Sequence, residues 1–185
     1  MVEWTFEEHK LPGDFADKVL REVSVLGVSV QTAEVEREDA EKPKETFKVA
    51  ALLLADKAEG KRVLPIWTGL PEATAIGSKL EGRSPPRPMT HDLMANILSE
   101  FRMKLVRVVI TELRDHTFLA RLVIEREGVT KEIDARPSDA VALALRMNAS
   151  IFVVEELLET SGINLEEARE MMEEGRESRD TDRSP

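Results

Sequence analysis

Two short segments of this chain place an arginine and a proline just ahead of an acid where a helix is about to begin. They are Arg87-Pro88-Met89-Thr90-His91-Asp92 and Arg136-Pro137-Ser138-Asp139. The arginine guanidinium matches phosphate with a planar fork of donors, and the first turn of a helix leaves backbone N–H groups that also favour anions. A rigid cation beside a helix start suits a phosphate better than it suits core packing. Asp134 ends an extended stretch and Asp139 falls in the first turn of the next helix. A tight turn between them lets both carboxylates reach one ion, with Arg136 placed to neutralise them or to bind phosphate. Glu72 occupies the equivalent place at the start of an earlier helix. Carboxylates holding Mg²⁺ or Mn²⁺ can activate a water and stabilise charge on phosphoryl oxygens, and a histidine such as His91 can pass protons near neutral pH. The chemistry these types could do together is phosphodiester hydrolysis.

Each residue also has a plainer reading, and the sequence leaves both open. Glu72 and Asp139 sit where acids complement a helix dipole, and Asp92 just after Thr90 is equally ordinary there. His91 can bond a backbone carbonyl, and Asp134 can pair with Arg136 or Arg146 to fix a loop. Trp67 and Phe118 read first as core or interface residues, with base stacking as the alternative. The three histidines lie far apart and the carboxylates follow no standard metal-binding spacing.

The elements that must position these residues follow from hydrophobic period. Pro12-Gly13-Asp14 can open a short helix through Val19 and Leu20. Alternation from Val23 to Val30 predicts a strand, and the charged run Glu34–Thr46, with Pro43 inside, reads as a long solvated hairpin loop. Strands are expected at Phe47–Ala55 and Arg62–Trp67. Pro71 opens a helix that Gly82 stops, and Thr90 should cap a second with Leu93, Met94, Ile97, Leu98 and Phe101 on one apolar stripe. A second cycle repeats the order: strands through Val106–Ile110, Phe118–Ile124 and Lys131–Asp134, then a helix at Pro137–Met147 that is apolar almost all round. Ile151–Val154 and a short helix to Thr160 close that cycle. Asn164, with Glu167 three residues on, should cap a last amphipathic helix whose Met171-Met172 form a docking face, and the end after it reads as disordered. Glu72-Ala73-Thr74-Ala75-Ile76 matches Asp139-Ala140-Val141-Ala142-Leu143. The whole therefore reads as an α+β domain of two duplicated β3α2 units with a mixed or antiparallel sheet. Residues 1–22 form an N-terminal extension, 23–160 the domain, and 161–185 an acidic helix and tail.

The 185 residues carry no cysteine, which excludes a disulfide framework, a thiolate nucleophile and a Cys-ligated zinc. The longest apolar run, Val49–Ala55, is about a third of the ~20 residues a membrane helix needs. No leader pattern opens the chain, so a soluble cytoplasmic protein without membrane contact is expected. The net charge of −10 argues against a surface that grips phosphate throughout, but it is unevenly spread. Residues 51–154 hold 15 Lys and Arg against 13 Asp and Glu, so the motif-bearing middle is slightly basic. That balance suggests weak, salt-sensitive contact with phosphates.

The series Leu64-Pro65-Ile66-Trp67-x-Gly69-x-x-Glu72-Ala73, then Arg87-Pro88-Met89-Thr90-His91-Asp92, then Phe118-x-Ala120 and Asp134-Ala135-Arg136-Pro137-Ser138-Asp139-Ala140, resembles the bifunctional nuclease domain family. The resemblance covers roughly residues 23–160. The chain departs from the pattern in the charged insertion around Asp39–Pro43 and in Thr68, where an aliphatic residue is usual. The resemblance implies a compact fold of duplicated β3α2 units and nuclease activity on RNA and DNA. On this reading His91, Asp92, Asp134 and Asp139 are the catalytic candidates, and Arg87 and Arg136 the phosphate ligands. Asp134, Asp139 and Glu72 would hold Mg²⁺ or Mn²⁺, no organic cofactor is expected, and a homo-oligomer is. The alternatives are a non-catalytic module binding phosphate or nucleic acid at the same helix starts, and an oligomeric regulatory scaffold.

Overall fold

The computed structural model describes residues 15, 17–35, 45–58 and 60–181. Its elements run β1 (Leu20–Val35), β2 (Glu45–Asp56), β3 (Arg62–Thr68), α1 (Leu70–Leu80), α2 (Thr90–Glu100), β4 (Lys104–Arg114), β5 (Thr117–Arg126), β6 (Val129–Ala135), α3 (Pro137–Met147), β7 (Ser150–Val154), α4 (Glu155–Thr160), β8 (Ile163–Asn164) and α5 (Leu165–Thr181). All eight strands join one mixed sheet in the order β6-β5-β4-β7-β1-β2-β3-β8. Two antiparallel meanders, β1-β2-β3 and β4-β5-β6, thus lie on either side of β7. That strand runs parallel to β4 and antiparallel to β1.

Strand alternation sorts the apolar residues onto two faces. Leu52, Leu54, Leu64, Ile66, Val108, Ile110, Leu122 and Ile124 point to the face that the helices cover. There α3 is the central helix, buried through Ala140–Ala144, with α1 and α2 packed against it. Its near-continuous apolar surface explains why it takes the middle place. On the far face Ala51, Leu53, Ala55 and Val63 receive α5 through Ala168, Met171 and Met172, the docking face read from the sequence. Asn164 and Glu167 form the reciprocal cap expected at the start of that helix, the Glu167 N–H donating to Asn164 Oδ1 at 2.9 Å. The other half of the far face, at Val109 and Val123, is covered by Phe15.

Three expectations are corrected. Leu20 opens β1 instead of ending a helix, because it pairs with Val154 while the Glu155 N–H donates to the Val19 carbonyl at 2.9 Å. Pro12–Asp14, where that helix would begin, lie outside the described residues. The predicted loop Glu34–Thr46 is shorter, since β1 extends to Val35 and β2 begins at Glu45; residues 36–44 lie outside the described residues. Thr90 is the first helical residue of α2, not its cap. Met89 holds the cap position, and its N–H donates to Asp92 Oδ2 at 2.9 Å. None of the described helices is long and apolar enough to cross a membrane.

Candidate functional site at the start of helix α3

Helices α1 and α3 begin alike. Each has a proline in its first turn and an acid at its third position, Glu72 in one and Asp139 in the other. Because the two helices pack side by side, the acids converge, and Arg136 at the cap position of α3 lies between them. Its Nε donates to Asp139 Oδ2 at 2.6 Å and its Nη2 to Glu72 Oε1 at 2.7 Å. The cap position of α1 is Gly69, and a Cβ there would stand 2.5 Å from Glu72 Oε2. The missing side chain is what leaves the Glu72 carboxylate its place beside Arg136.

His91 closes the cluster from α2. It is buried, and its Nε2 lies 3.0 Å from Asp139 Oδ1. An ionised carboxylate can only accept, so Nε2 carries the proton in this bond. Burial alone would raise the Asp139 carboxyl, but the hydrogen bonds from Arg136 and His91 outweigh it and hold the group below its ordinary value. Bonds to Asp139 first and Glu72 second raise Arg136 in turn, so its charge is permanent.

Despite two carboxylate partners the Arg136 side chain is 66% exposed, and it lines a cleft of about 470 Å³. The walls are Ile66–Gly69 at the end of β3, His116–Phe118 at the β4–β5 turn, and Arg136–Ser138. Trp67 stands 58% exposed on this cleft, so here it is not a core residue. The turn is a two-residue connection in which Asp115 and His116 both take positive φ, 46° and 61°. Backbone of that kind normally goes to Asn or Gly. Here it carries an exposed imidazole to the cleft. Sequence reasoning passed over His116, although a polar pair between two alternating strands is a hairpin signal.

The remaining candidates lie elsewhere. Asp134 is opposite Arg121 in the β5–β6 ladder and pairs with it. Arg121 shares the far face with Val109 and Val123, while Ile133 sits across from the inward Leu122. Strand alternation therefore turns Asp134 away from α3, and it does not meet Asp139. Asp92 accepts from Arg146 Nε at 2.5 Å as well as from the Met89 backbone. The backbone bond first, and then Arg146 against the cost of burial, holds its carboxyl below the ordinary range. Arg87 is exposed, outside the residues lining the cleft, and without a hydrogen bond or ion pair among the described residues.

The carboxylates do not fit a divalent ion. Both Asp139 oxygens are taken by His91 and Arg136, Glu72 faces the same guanidinium, and Asp134 is on the other side of the sheet. Among the described residues no three His, Asp or Glu converge as a ligand set. The cation at the centre of this cluster is Arg136 itself.

Fold and site define a class: an α+β protein with a single eight-stranded sheet and an exposed arginine clamped between two carboxylates at a helix start, beside exposed aromatic surface. The family model for the bifunctional nuclease domain matches residues 52–166, more than half of the chain, and the chain belongs to that family. Membership points to a nuclease-like or nucleic-acid-related function. Two similar relatives, from two strains of Mycobacterium tuberculosis and both described only as uncharacterized proteins, are 42% identical over 112 residues. That stretch is 60% of this chain and 66% of each relative, just under two thirds of the relatives' own length.

Proposed function

We propose that the cleft binds the sugar-phosphate backbone of RNA or DNA, with low sequence specificity, and promotes hydrolysis of its phosphodiester bonds. The observation that carries this reading is Arg136: two carboxylates fix it, yet its side chain stays 66% exposed and lines an open cleft. Its Nη1 donors make no bond among the described residues and suit a phosphate oxygen. Trp67 offers a stacking surface to a base, and stacking is tolerant of sequence. His116 is the side chain on the cleft that can give or take a proton. Glu72, Asp139 and His91 act through Arg136 as positioning residues, while Asp92 and Asp134 hold structure elsewhere through Arg146 and Arg121. The setting is cytoplasmic and the active form a homo-oligomer.

The test uses single-stranded RNA and DNA oligonucleotides with a fluorescent label, with Mg²⁺, with Mn²⁺ and with a chelator. Wild type should bind and cleave, Arg136→Ala should lose binding, and His116→Ala should bind but cleave more slowly. Equal binding by Arg136→Ala would overturn the assignment of the cleft. Unchanged cleavage by both variants would assign the hydrolysis to a contaminant. A second reading, binding without hydrolysis, is favoured by the hydrogen bonds that already engage both Asp139 oxygens, one from His91 and one from Arg136. It predicts Arg136-dependent binding with no turnover under any of the three conditions.

A further inference from the structure

Ser138 follows Arg136 and Pro137 along the wall of the cleft, at the second position of α3. It is only 5% exposed, and the cleft it lines is where that remainder opens. Its hydroxyl makes no hydrogen bond among the described residues, and it is not one of the polar atoms sealed in the interior. A buried hydroxyl is normally paired; this one is left as a donor at the cleft. The Ser138 amide is without a partner too. Pro137 has no N–H, and the first amide that α3 engages is that of Ala140, donating to the Arg136 carbonyl at 3.0 Å. No side chain caps the helix start. Three consecutive residues thus bring a guanidinium edge, a hydroxyl and an amide to one corner of the cleft.

The charge of that corner is small. Glu72 and Asp139 both bond Arg136, so no positive surplus remains, and among the described residues lining the cleft Arg136 is the sole Lys or Arg. Proteins that follow a single strand need more: a positively charged groove that tracks ~4–16 nucleotides. A cleft of about 470 Å³ falls instead in the lower part of the ~300–1,000 Å³ range that encloses one small molecule. We propose that the cleft holds a single nucleotide, with its phosphate on Arg136, the Ser138 hydroxyl and the Ser138 amide, and its base against Trp67. Its ligands are nucleoside monophosphates and the terminal nucleotide of a strand, recognised by hydrogen-bond geometry and not by accumulated charge. This rests on the nucleic-acid reading of the cleft and narrows it to one unit. Ser138 becomes the residue that tells a nucleotide from a nucleoside, because a hydroxyl and an amide on one residue are worth little without a phosphate oxygen to accept from them.

The test displaces a fluorescent single-stranded oligonucleotide from the full chain, in chelator so that nothing is cleaved. The competitors are a nucleoside, its 5′- and 3′-monophosphates, a dinucleotide and a dodecamer. At least one monophosphate should compete within ~5-fold of the dodecamer, and the nucleoside ~10-fold or more worse than that monophosphate. Which monophosphate competes better tells which strand end enters. Ser138→Ala should weaken the monophosphate ~5–10-fold and leave the nucleoside unchanged, a split that a merely structural role would not produce. The slope of log affinity against log salt should be ~−1 or shallower, where tracking four phosphates of a single strand would give about −3. Competition that strengthens steadily with length, a slope near −3, or equal effects of Ser138→Ala on nucleoside and nucleotide would each overturn the proposal. If binding then still depends on Arg136, the cleft assignment stands without the single-nucleotide limit; if Arg136→Ala binds as wild type does, both fall.

Discussion

The two Arg-Pro segments look alike in the sequence and come to opposite ends in the fold. At α3 the arginine sits at the cap position and bonds the acid three residues on, together with Glu72 from the neighbouring helix. At α2 the arginine is five residues ahead of the acid, and the two never meet. Asp92 turns back to the Met89 N–H and across to Arg146, leaving Arg87 in solvent. A separation of three lets one side chain reach the other over a single helical turn. A separation of five puts a proline and a cap residue between them. Composition alone does not separate a positioned cation from a loose one; spacing against the helix start does.

The largest effect should fall on the α2 side, where the pair is the more buried. Arg146→Ala removes the partner of Asp92 and the donor to two backbone carbonyls, and should cost about 3 kcal/mol in urea unfolding. A loss under ~0.5 kcal/mol would show that the pair is ornamental. On the α3 side, Arg136→Ala should weaken oligonucleotide binding by ~10–100-fold, the worth of one or two charge-assisted hydrogen bonds. Gly69→Ala should reproduce part of that loss by driving the Glu72 carboxylate off Arg136, at ~1 kcal/mol. Binding that falls with Arg136→Ala but not with Gly69→Ala would show that Glu72 does not position the guanidinium.

Acid titration compares the two acids directly. Asp92 and Asp139 both titrate below the ordinary value of 3.8 in the folded protein. Their contribution is therefore fully present above the unfolded value, and is lost as pH falls through the lower folded value. Wild type should lose stability between ~pH 5 and pH 2 more steeply than Asp139→Asn, and the two curves should converge in acid. Parallel curves would mean that Asp139 gains nothing from its partners. The smallest effect belongs to Arg87→Ala, within ~0.5 kcal/mol in stability and about twofold in binding. A loss matching that of Arg136→Ala would extend the site to the second segment and dissolve the contrast.

Much of this arrangement could be read in advance, and the misses share a cause. The start of α3, the buried run Ala140–Ala144, the Asn164 cap and the strand alternation all follow from local period and local chemistry. Glu72 and Asp139 are legible as equivalent positions because Glu72-Ala73-Thr74-Ala75-Ile76 matches Asp139-Ala140-Val141-Ala142-Leu143. Their convergence on Arg136 depends on α1 packing beside α3, which no local pattern encodes. Asp134 departs from its expected place because the alternation that turns Ile133 inward turns Asp134 to the far face, and the register there sets it against Arg121. The stripe on α2 is split by the fold: Leu98 packs inward, while Leu93, Met94, Ile97 and Phe101 stay exposed. Period says which residues share a face; it does not say what that face meets, and α3 had already taken the middle of the sheet.

The place of β1 has a practical consequence. The sheet is a row in which β7 and β2 are both neighbours of β1 and not of each other. The family-matched stretch begins at residue 52, inside β2, and so leaves β1 out. A fragment trimmed to that stretch would lose the one strand joining the left and right halves of the sheet, and would bare an unpaired backbone edge on each. A piece that keeps the sheet in one row must include β1, and so begin at or before Leu20.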